Sequence, residues 1–204
     1  MPASGKTEIR VLALFASPRK TGASSSIHES FLLALGPASI RRAYLYEMEI
    51  RPCTACGHCS AISECVFDDD MTPLYAELDE ADLLSISMPL YFSGPPGPLK
   101  LFIDRTQVLW ESARRAKKHR EGPVIGNLIC TGGARYTDMF LPSITIIRHF
   151  FNSIGFDYER SDFLLYPDME GLTGANIPKK HLIRAGIAGE ALGKRLKTAY
   201  RGAQ

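Results

Sequence analysis

The sequence predicts an α/β fold built around a parallel β-sheet. Five apolar segments of strand length alternate with segments of helical periodicity, the order expected when helices cover both faces of such a sheet. The segments at residues 9–16 and 81–90 are almost continuously apolar, as in strands buried on both faces. Small polar or glycine-containing loops follow strands one, three and four. Because ligands bind at the carboxyl ends of parallel strands, these loops are the predicted site.

The composition is that of an ordinary globular protein. The chain has 204 residues and a formal net charge of +2, so we expect residues 1–204 to form a single domain and not to bind nucleic acid. No apolar run reaches the length of a membrane span, and the first residues lack a signal-peptide pattern. We therefore expect a cytoplasmic protein without a membrane partner, in a compartment that keeps cysteines reduced.

The first strand leads into a polar loop, SPRKTGASSS at residues 17–26, and then into a helical pattern. A helix N-terminus behind such a loop offers backbone N–H groups and a positive dipole end to a phosphate. Hydroxyls and a cation would complete the site. The candidates are Ser17, Arg19 (or Lys20), Thr21, Ser24 and Ser25. The loop matches neither G-x-x-x-x-G-K-[ST] nor G-x-G-x-x-G, and a plain connection with serine helix caps is the alternative.

The densest motif is a run of four cysteines with the spacing C-x2-C-x2-C-x5-C, in a block at residues 50–67 that follows the second strand candidate at 41–47. Thiolates at these spacings can converge on one soft metal centre, and a single [4Fe–4S] cluster suits four ligands from one short loop. Zinc, disulfide bonds and cysteines without a metal are the alternatives. The candidate ligands are Cys53, Cys56, Cys59 and Cys65.

The third strand runs into a stiff loop, YFSGPPGP at residues 91–98. Glycine and proline exclude a helix there, and the aromatic pair Tyr91 and Phe92 is too exposed by position to be routine core. One amphipathic helix is predicted at 99–110. The basic run RRAKKHR at 114–120 is either a solvated helix end or a docking surface for an acidic group.

Two further strands complete the predicted sheet. Cys130 ends the fourth strand as a small buried hydrophobe, and TGGA follows at residues 131–134. Adjacent glycines permit a close approach of the backbone to a flat ligand. The remaining predicted elements are a helix at 140–154, a strand within 156–166, and a terminal helix at 178–200 that its three glycines should weaken.

A strand order of 2-1-3-4-5 brings the loops after strands one, three and four together. The order then reverses between strands one and three, where open α/β sheets bind their ligands. This is the flavodoxin-like arrangement, a three-layer sandwich with a five-stranded parallel sheet that holds FMN at the reversal.

In their order along the chain, the motifs resemble the iron–sulfur flavoprotein branch of the NADPH-dependent FMN reductase (flavodoxin-like) family. The resemblance lies in SPRKTG at 17–22, PCTACGHC with Cys65 at 52–65, DDM at 69–71, MPLYFSGPPGPLK at 88–100, IDR at 103–105 and TGGA at 131–134. It implies non-covalent FMN and a [4Fe–4S] cluster on the four cysteines. The implied FMN contacts are Ser17, Arg19, Thr21 and Ser24 at the phosphate, Pro89, Leu90, Tyr91, Phe92 and Ser93 at the ribityl chain and ring, and Thr131, Gly132 and Gly133 at the ring edge.

These patterns and the resemblance predict a flavin-dependent oxidoreductase that passes electrons between a [4Fe–4S] cluster and FMN, with an electron donor such as ferredoxin or NAD(P)H. The alternative is an NAD(P)H-dependent FMN or quinone reductase whose cysteine loop is structural. An electron carrier or redox sensor without a substrate is a third possibility. No acid–base pair or nucleophile is predicted, so no catalytic side chain is assigned. The resemblance also implies a homodimer or homotetramer.

Overall fold

The computed structural model describes residues 8–116 and 122–202, and within them it shows one five-stranded parallel sheet. The strand order is β2-β1-β3-β4-β5, and every neighbouring pair is parallel. This confirms the predicted flavodoxin-like order and its reversal between strands one and three. The strands are β1 (Ile9–Phe15), β2 (Ala38–Tyr44), β3 (Leu83–Pro89), β4 (Ile125–Thr131) and β5 (Phe163–Tyr166).

Helices cover both faces of the sheet. In chain order, those in the described ranges are α1 (Ala23–Ala34), α2 (His58–Ala61), α3 (Met71–Glu80), α4 (Gly97–Arg105), α5 (Gln107–Ala116), α6 (Leu141–Ile154) and α7 (Lys179–Gly202). Helices α1 and α7 pack on one face, and α3, α4 and α6 pack on the other, which gives three layers. None of these helices is both long and apolar enough to span a membrane.

Each face of the sheet has its own hydrophobic core because side chains alternate along a strand. In β1, Val11 and Phe15 join the core beneath α1 and α7, whereas Leu12 and Leu14 join the core beneath α3, α4 and α6. Strands β3 and β4 are buried along almost their whole length, which explains their apolar sequences. The well-packed centre of the sheet fixes the strand ends from which the candidate loops start.

Helix α7 packs so closely on α1 that glycine is required at the contact. A Cβ atom at Gly189 would collide with the backbone of Phe31, and one at Gly193 with the backbone of Leu35. Helix α7 nevertheless runs over 24 residues, so the glycines predicted to weaken the terminal helix do not interrupt it. Glycine costs a helix about 1 kcal/mol per residue, and the dispersion contacts between two closely spaced helices offset that cost.

The single helix predicted at 99–110 is two helices, because α4 ends at Arg105 and α5 begins at Gln107. Between them, the Thr106 hydroxyl donates to the Ile103 carbonyl at 2.6 Å, which satisfies one of the carbonyls at the end of α4. The break separates a buried arginine at the end of α4 from the exposed surface of α5. Of the basic run at 114–120, the segment 117–120 lies outside the described residues.

Candidate functional site

The loops that follow β1, β3 and β4 meet at the carboxyl edge of the sheet. The Ala16 amide donates to the Ser87 carbonyl at 2.8 Å, and the Leu90 amide donates to the Thr131 carbonyl at 2.8 Å. Each loop therefore leaves the sheet beside its neighbour. Further out, a hydrogen bond of 2.8 Å between the hydroxyls of Ser93 and Tyr136 joins the second and third loops.

The loop at residues 17–22 is shaped by two of its predicted ligand residues. The Arg19 amide donates to the Ser17 hydroxyl at 3.1 Å, and the Ser25 hydroxyl donates to the Arg19 carbonyl at 3.1 Å. Ser17, Ser24 and Ser25 are buried, whereas Arg19 and Thr21 are exposed. The side chains of Arg19 and Thr21 are thus the accessible ones, while Ser17 and Ser25 hold the loop in place.

The N-terminus of α1 behind this loop fits an anion. The helix begins after Gly22 with no side-chain cap and no acidic residue in its first turn, so its first N–H groups are not satisfied by a side chain. Lys20 is bound by Glu47 at 2.7 Å, whereas Arg19 makes no ion pair with any residue in the described ranges. Arg19 is therefore the available cation of this loop, and an anion there would also meet the positive end of the helix dipole.

A segment after β5 also contacts the loop at residues 17–22. The Gly174 amide donates to the Thr21 carbonyl at 2.9 Å, and Gly22 forms an isolated antiparallel bridge with Thr173. Sequence reasoning did not single out these residues, because a backbone contact between two loops leaves no mark on periodicity or composition.

The loop at 91–98 begins with a tight turn that exposes an aromatic ring. Tyr91 and Gly94 exchange backbone hydrogen bonds of 3.1 and 2.9 Å, and Phe92 and Ser93 between them have φ values of 50° and 63°. These left-handed conformations cost a non-glycine residue roughly 1–2 kcal/mol each. The Ser143 hydroxyl holds the turn by donating to the Ser93 carbonyl at 2.7 Å. The strained turn places the fully exposed Phe92 ring at the predicted ligand site. Strained backbone of this kind is often found at functional sites.

The glycines at 132 and 133 lie against side chains of the same chain. A Cβ atom at Gly132 would meet the Met139 methyl group, and one at Gly133 would meet the Glu170 carboxylate. Both groups are at the ends of flexible side chains, which can move aside. The Gly132 amide also donates to the Tyr166 carbonyl at 2.9 Å. Packing within the chain therefore does not by itself require glycine at these positions. The predicted reason, room for a flat ligand, stays a prediction, as does the contact of these glycines and of the buried Thr131 with the flavin edge.

The four candidate cysteines line one cavity of about 390 Å³, whose other walls come from the rest of the cysteine loop, the end of α4 and the first half of α5. All four are free thiols, and Cys53 and Cys56 are exposed. In the part of the chain that the structure describes, no three His, Cys, Asp or Glu side chains are placed to hold one metal ion. Thiolates are the ligands that iron–sulfur clusters select. Four free cysteines around one cavity therefore match the donor set of such a cluster.

The thiols of this loop influence one another electrostatically. Partial burial raises the pKa of Cys59, and Glu111 and the thiols of Cys53 and Cys65 raise it further. A bound cation would oppose this effect by stabilising the thiolates. Cys130 differs, since burial alone raises the pKa of this fully enclosed thiol at the end of β4, and the structure confirms it as a core residue.

Arg105 binds both ends of the cysteine loop. Its guanidinium contacts the Asp69 carboxylate at 2.6 Å and donates to the carbonyls of Arg51 at 2.9 Å and Phe67 at 3.4 Å. Arg51 precedes the four cysteines and Phe67 follows them, so one buried side chain joins the two ends of the loop. Asp69 completes the junction by accepting from the Arg51 amide at 3.0 Å.

Sequence reasoning missed the role of Arg105, although a signal for it existed. Arg105 follows Leu99 and Phe102 at three-residue intervals on the buried face of α4, and a charged residue at such a position indicates a buried partner. It also missed Arg115, which donates to the Cys59 carbonyl at 2.6 Å. Arg115 belongs to the basic run, which predicted only a solvated helix end or a docking surface.

Comparison with known proteins agrees with these motifs. The family model described as NADPH-dependent FMN reductase matches residues 9–147. An iron–sulfur flavoprotein of Methanosarcina thermophila is 33% identical over 92 residues, which cover 45% of this chain and 46% of that protein. One of Archaeoglobus fulgidus is 31% identical over 99 residues, which cover 48% of this chain and 45% of that protein. The chain thus spans about half the length of these curated relatives.

A solved structure extends the similarity of fold to nearly the whole chain. The NAD(P)H:quinone oxidoreductase from Methanothermobacter marburgensis superposes with a TM-score of 0.71 over 91% of this chain and 96% of that one, at 19% sequence identity. A likeness at this level of identity shows the shared flavodoxin-like fold.

Proposed function

Because the chain belongs to the NADPH-dependent FMN reductase family, we propose that it is a flavin-dependent oxidoreductase with two redox centres. FMN would bind at the carboxyl edge of the sheet, and a [4Fe–4S] cluster would bind to the loop at 53–65. One observation carries the proposal: the same chain combines an uncapped helix N-terminus beside an accessible arginine with four free thiols around one cavity. The relatives named iron–sulfur flavoproteins support the same combination.

The proposed FMN phosphate site is the N-terminus of α1. Arg19 would supply the cation, Thr21 a hydroxyl, and the first turn of the helix, which contains Ser24, would supply backbone donors. Ser17 and Ser25 would act through the loop that they hold. The proposed contacts to the ribityl chain and ring are Pro89, Leu90, Tyr91, Phe92 and Ser93, with Thr131, Gly132 and Gly133 at the ring edge.

The proposed cluster ligands are Cys53, Cys56, Cys59 and Cys65. A cluster exchanges single electrons and FMN can hold two, so the pair can connect one-electron donors with two-electron acceptors. The chain contributes by holding the four thiols in one loop and by attaching that loop to helix α4 through Arg105. We propose no acid–base side chain for this chemistry.

Two electron donors fit the proposal. The first is a one-electron protein donor such as ferredoxin, and the second is NAD(P)H, after which the family is named. We propose a cytoplasmic homodimer or homotetramer as the working form, with no nucleic-acid or membrane partner. Steady-state rates with NADPH or reduced ferredoxin as the only donor identify the partner, and an absence of turnover with both would contradict the assignment as an enzyme.

An NAD(P)H-dependent FMN or quinone reductase with a structural cysteine loop is the second candidate function. It is favoured by the description of the matching family, which names NADPH and FMN and no metal centre. A visible spectrum of protein purified without oxygen, combined with iron and sulfide assays, separates the two. Flavin with iron and sulfide supports the first candidate, flavin alone supports the second, and the absence of flavin contradicts both.

Arg19→Ala should weaken FMN binding roughly ten- to hundredfold, because a charge-assisted contact contributes about 1.5–3 kcal/mol. The affinity is measured by titrating the apoprotein with FMN and monitoring the quenching of flavin fluorescence. Lys20→Ala is the matched control, since Glu47 already binds that ammonium group, and it should change the affinity little. Equal losses in the two variants would mean that Arg19 has no specific role at the phosphate.

Cys59→Ser should remove most of the iron and sulfide while FMN is retained, because the thiolate is a proposed ligand and the FMN contacts lie in other loops. Cys130→Ala is the control, since this thiol is buried in the core and should leave the iron content unchanged. Iron and sulfide assays on protein reconstituted without oxygen give the result. Full iron content in Cys59→Ser would contradict the four-cysteine site, and zinc in the parent protein would favour the reductase alternative.

A further inference from the structure

We propose that Arg115 is a positioning residue that shapes the middle of the cysteine loop for its metal centre. The role of Arg115 toward a metal centre rests on the proposed function, whereas its hydrogen bonds to the loop are observed in the structure. Arg105 joins the two ends of the loop, at Arg51 and Phe67. Arg115 is the corresponding contact at the middle of the loop, between the third and fourth cysteines.

Arg115 donates two hydrogen bonds to the loop. One terminal nitrogen, Nη1, donates to the Cys59 carbonyl at 2.6 Å, and the other, Nη2, donates to the Ser63 hydroxyl at 2.6 Å. The Ser63 hydroxyl in turn donates to the Ser112 hydroxyl, 3.1 Å away and one turn earlier on α5. Helix α5 therefore binds the segment that separates Cys59 from Cys65 through two side chains on one face.

The middle of the loop has few other contacts that could fix its shape. Residues 53–65 are exposed or partly exposed, and none of them belongs to either hydrophobic core. The backbone at Ala55 and Gly57 is left-handed, with φ values of 53° and 76°, a conformation that Ala55 adopts only at a cost. A long exposed loop loses conformational entropy when it is ordered, so the polar contacts from α5 decide whether the thiols are placed before a metal arrives.

An arginine suits this position because its planar fork presents two donors in a fixed geometry to two acceptors. A lysine would keep the charge but not the paired geometry. The neighbouring Arg114 is used differently, since it binds Glu111 at 2.8 Å and lies over the Trp110 ring. Two adjacent arginines of one basic run thus have separate roles, and Arg115 is the one of the two that hydrogen-bonds to the loop among the contacts of the described residues.

The shape of the loop can be tested without metal. Hydrogen–deuterium exchange of the metal-free, reduced protein should show faster exchange at the amides of Ser60 and Ile62, which bond to the carbonyls of Gly57 and His58 within the loop. We expect an increase of about fivefold in Arg115→Gln, the factor for loss of a typical hydrogen bond. Arg115→Lys should fall between this variant and the parent.

Retention of metal is the second readout. In protein reconstituted with iron and sulfide, the chelator concentration that removes half the iron should fall about tenfold or more in Arg115→Gln, as for other residues that orient metal ligands. Partial rescue in Arg115→Lys is expected. Arg41→Gln is the matched control, because Arg41 is an exposed arginine bound to Glu77 and does not line the cavity. It should behave as the parent in both measurements.

Each outcome decides the matter. Unchanged exchange at Ser60 and Ile62 in Arg115→Gln overturns the proposal, whatever the metal content of the parent. Faster exchange with unchanged resistance to chelator also overturns it, since the loop would then hold metal without this contact. Faster exchange with lower resistance supports it. A parent that takes up no iron contradicts the proposed function, and the exchange result alone then decides whether Arg115 shapes the loop.

Discussion

Replacement of Arg105 by methionine should lower the free energy of unfolding by about 3–5 kcal/mol, the cost of breaking a buried ion pair by removing one partner. The Arg105 and Asp69 side chains are 1% and 7% exposed. The substitution would leave the carboxylate buried without its cation and the carbonyls of Arg51 and Phe67 without a donor. Burial opposes ionisation of the Asp69 carboxyl group. The hydrogen bonds that this group accepts from Arg105 and from two backbone amides nevertheless hold the pKa of Asp69 below its usual value.

Lys100→Met on the same helix is the matched control for this prediction. Lys100 forms an exposed ion pair with Asp104 at 2.6 Å, and a pair of that kind contributes roughly 0–1 kcal/mol. Urea unfolding followed by circular dichroism, on metal-free protein, compares the two variants. A loss in Arg105→Met as small as that in Lys100→Met would show that the two ends of the cysteine loop do not depend on the arginine.

Acidification should destabilise the fold through His28, a buried histidine on α1 that stays neutral in the folded protein. Burial and, to a smaller extent, Arg42 lower the pKa of His28 to about 3. The imidazole Nε2 lies 2.8 Å from the Ser85 hydroxyl, which itself donates to the Asn127 side chain. Ser85 is therefore the acceptor for an N–H at Nε2. Nδ1 is buried without a partner in the described ranges, so a second proton there would have no acceptor.

The sign of the effect follows from the lowered pKa. Above pH 6.5, the ordinary pKa of histidine, the group is neutral in both states and its contribution is fully present. As the pH falls from 6.5 toward 3, the unfolded chain binds a proton that the folded chain does not, and the free energy of unfolding drops by about 1.4 kcal/mol per pH unit. Unfolding in urea at pH 7 and pH 4.5 should show this loss.

His28→Gln separates this effect from the titration of carboxylates. The amide keeps a donor for Ser85 and cannot be protonated in this range, while all acidic groups are shared with the parent protein. We expect the loss of stability between pH 7 and pH 4.5 to be smaller in the variant by about 2–3 kcal/mol. Equal losses would mean that His28 is protonated without penalty in the folded protein.

The parts of this fold that the sequence predicts are those that depend on local pattern. Strands β1 and β3 are buried on both faces, so their apolar runs stand out without knowledge of their neighbours. The strand order follows once the loops after three strands are required to meet at one edge. Cysteine spacing is local as well, so the block at 50–67 could be located from the sequence.

The parts that the sequence does not predict are pairings between distant polar residues. Asp69 and Arg105 are 36 positions apart, and nothing in the periodicity around Asp69 indicates a buried partner. The contact from Arg115 to the loop spans 56 positions. The role of Gly189 also depends on a distant part of the chain. Glycine lowers the helix propensity of α7, and the reason for it at this position is the backbone of α1, which leaves no room for a Cβ atom.

The contact between the loop at 17–22 and the segment after β5 has an evolutionary consequence. The match to the family model ends at residue 147, yet Thr173 and Gly174 hold Thr21 and Gly22 through their backbones. The region outside the family match therefore helps to set the shape of the loop inside it. A substitution at Thr173 or Gly174 can therefore change the shape of the loop at 17–22 without any change in SPRKTG itself, so selection on the loop extends to residues beyond the family match.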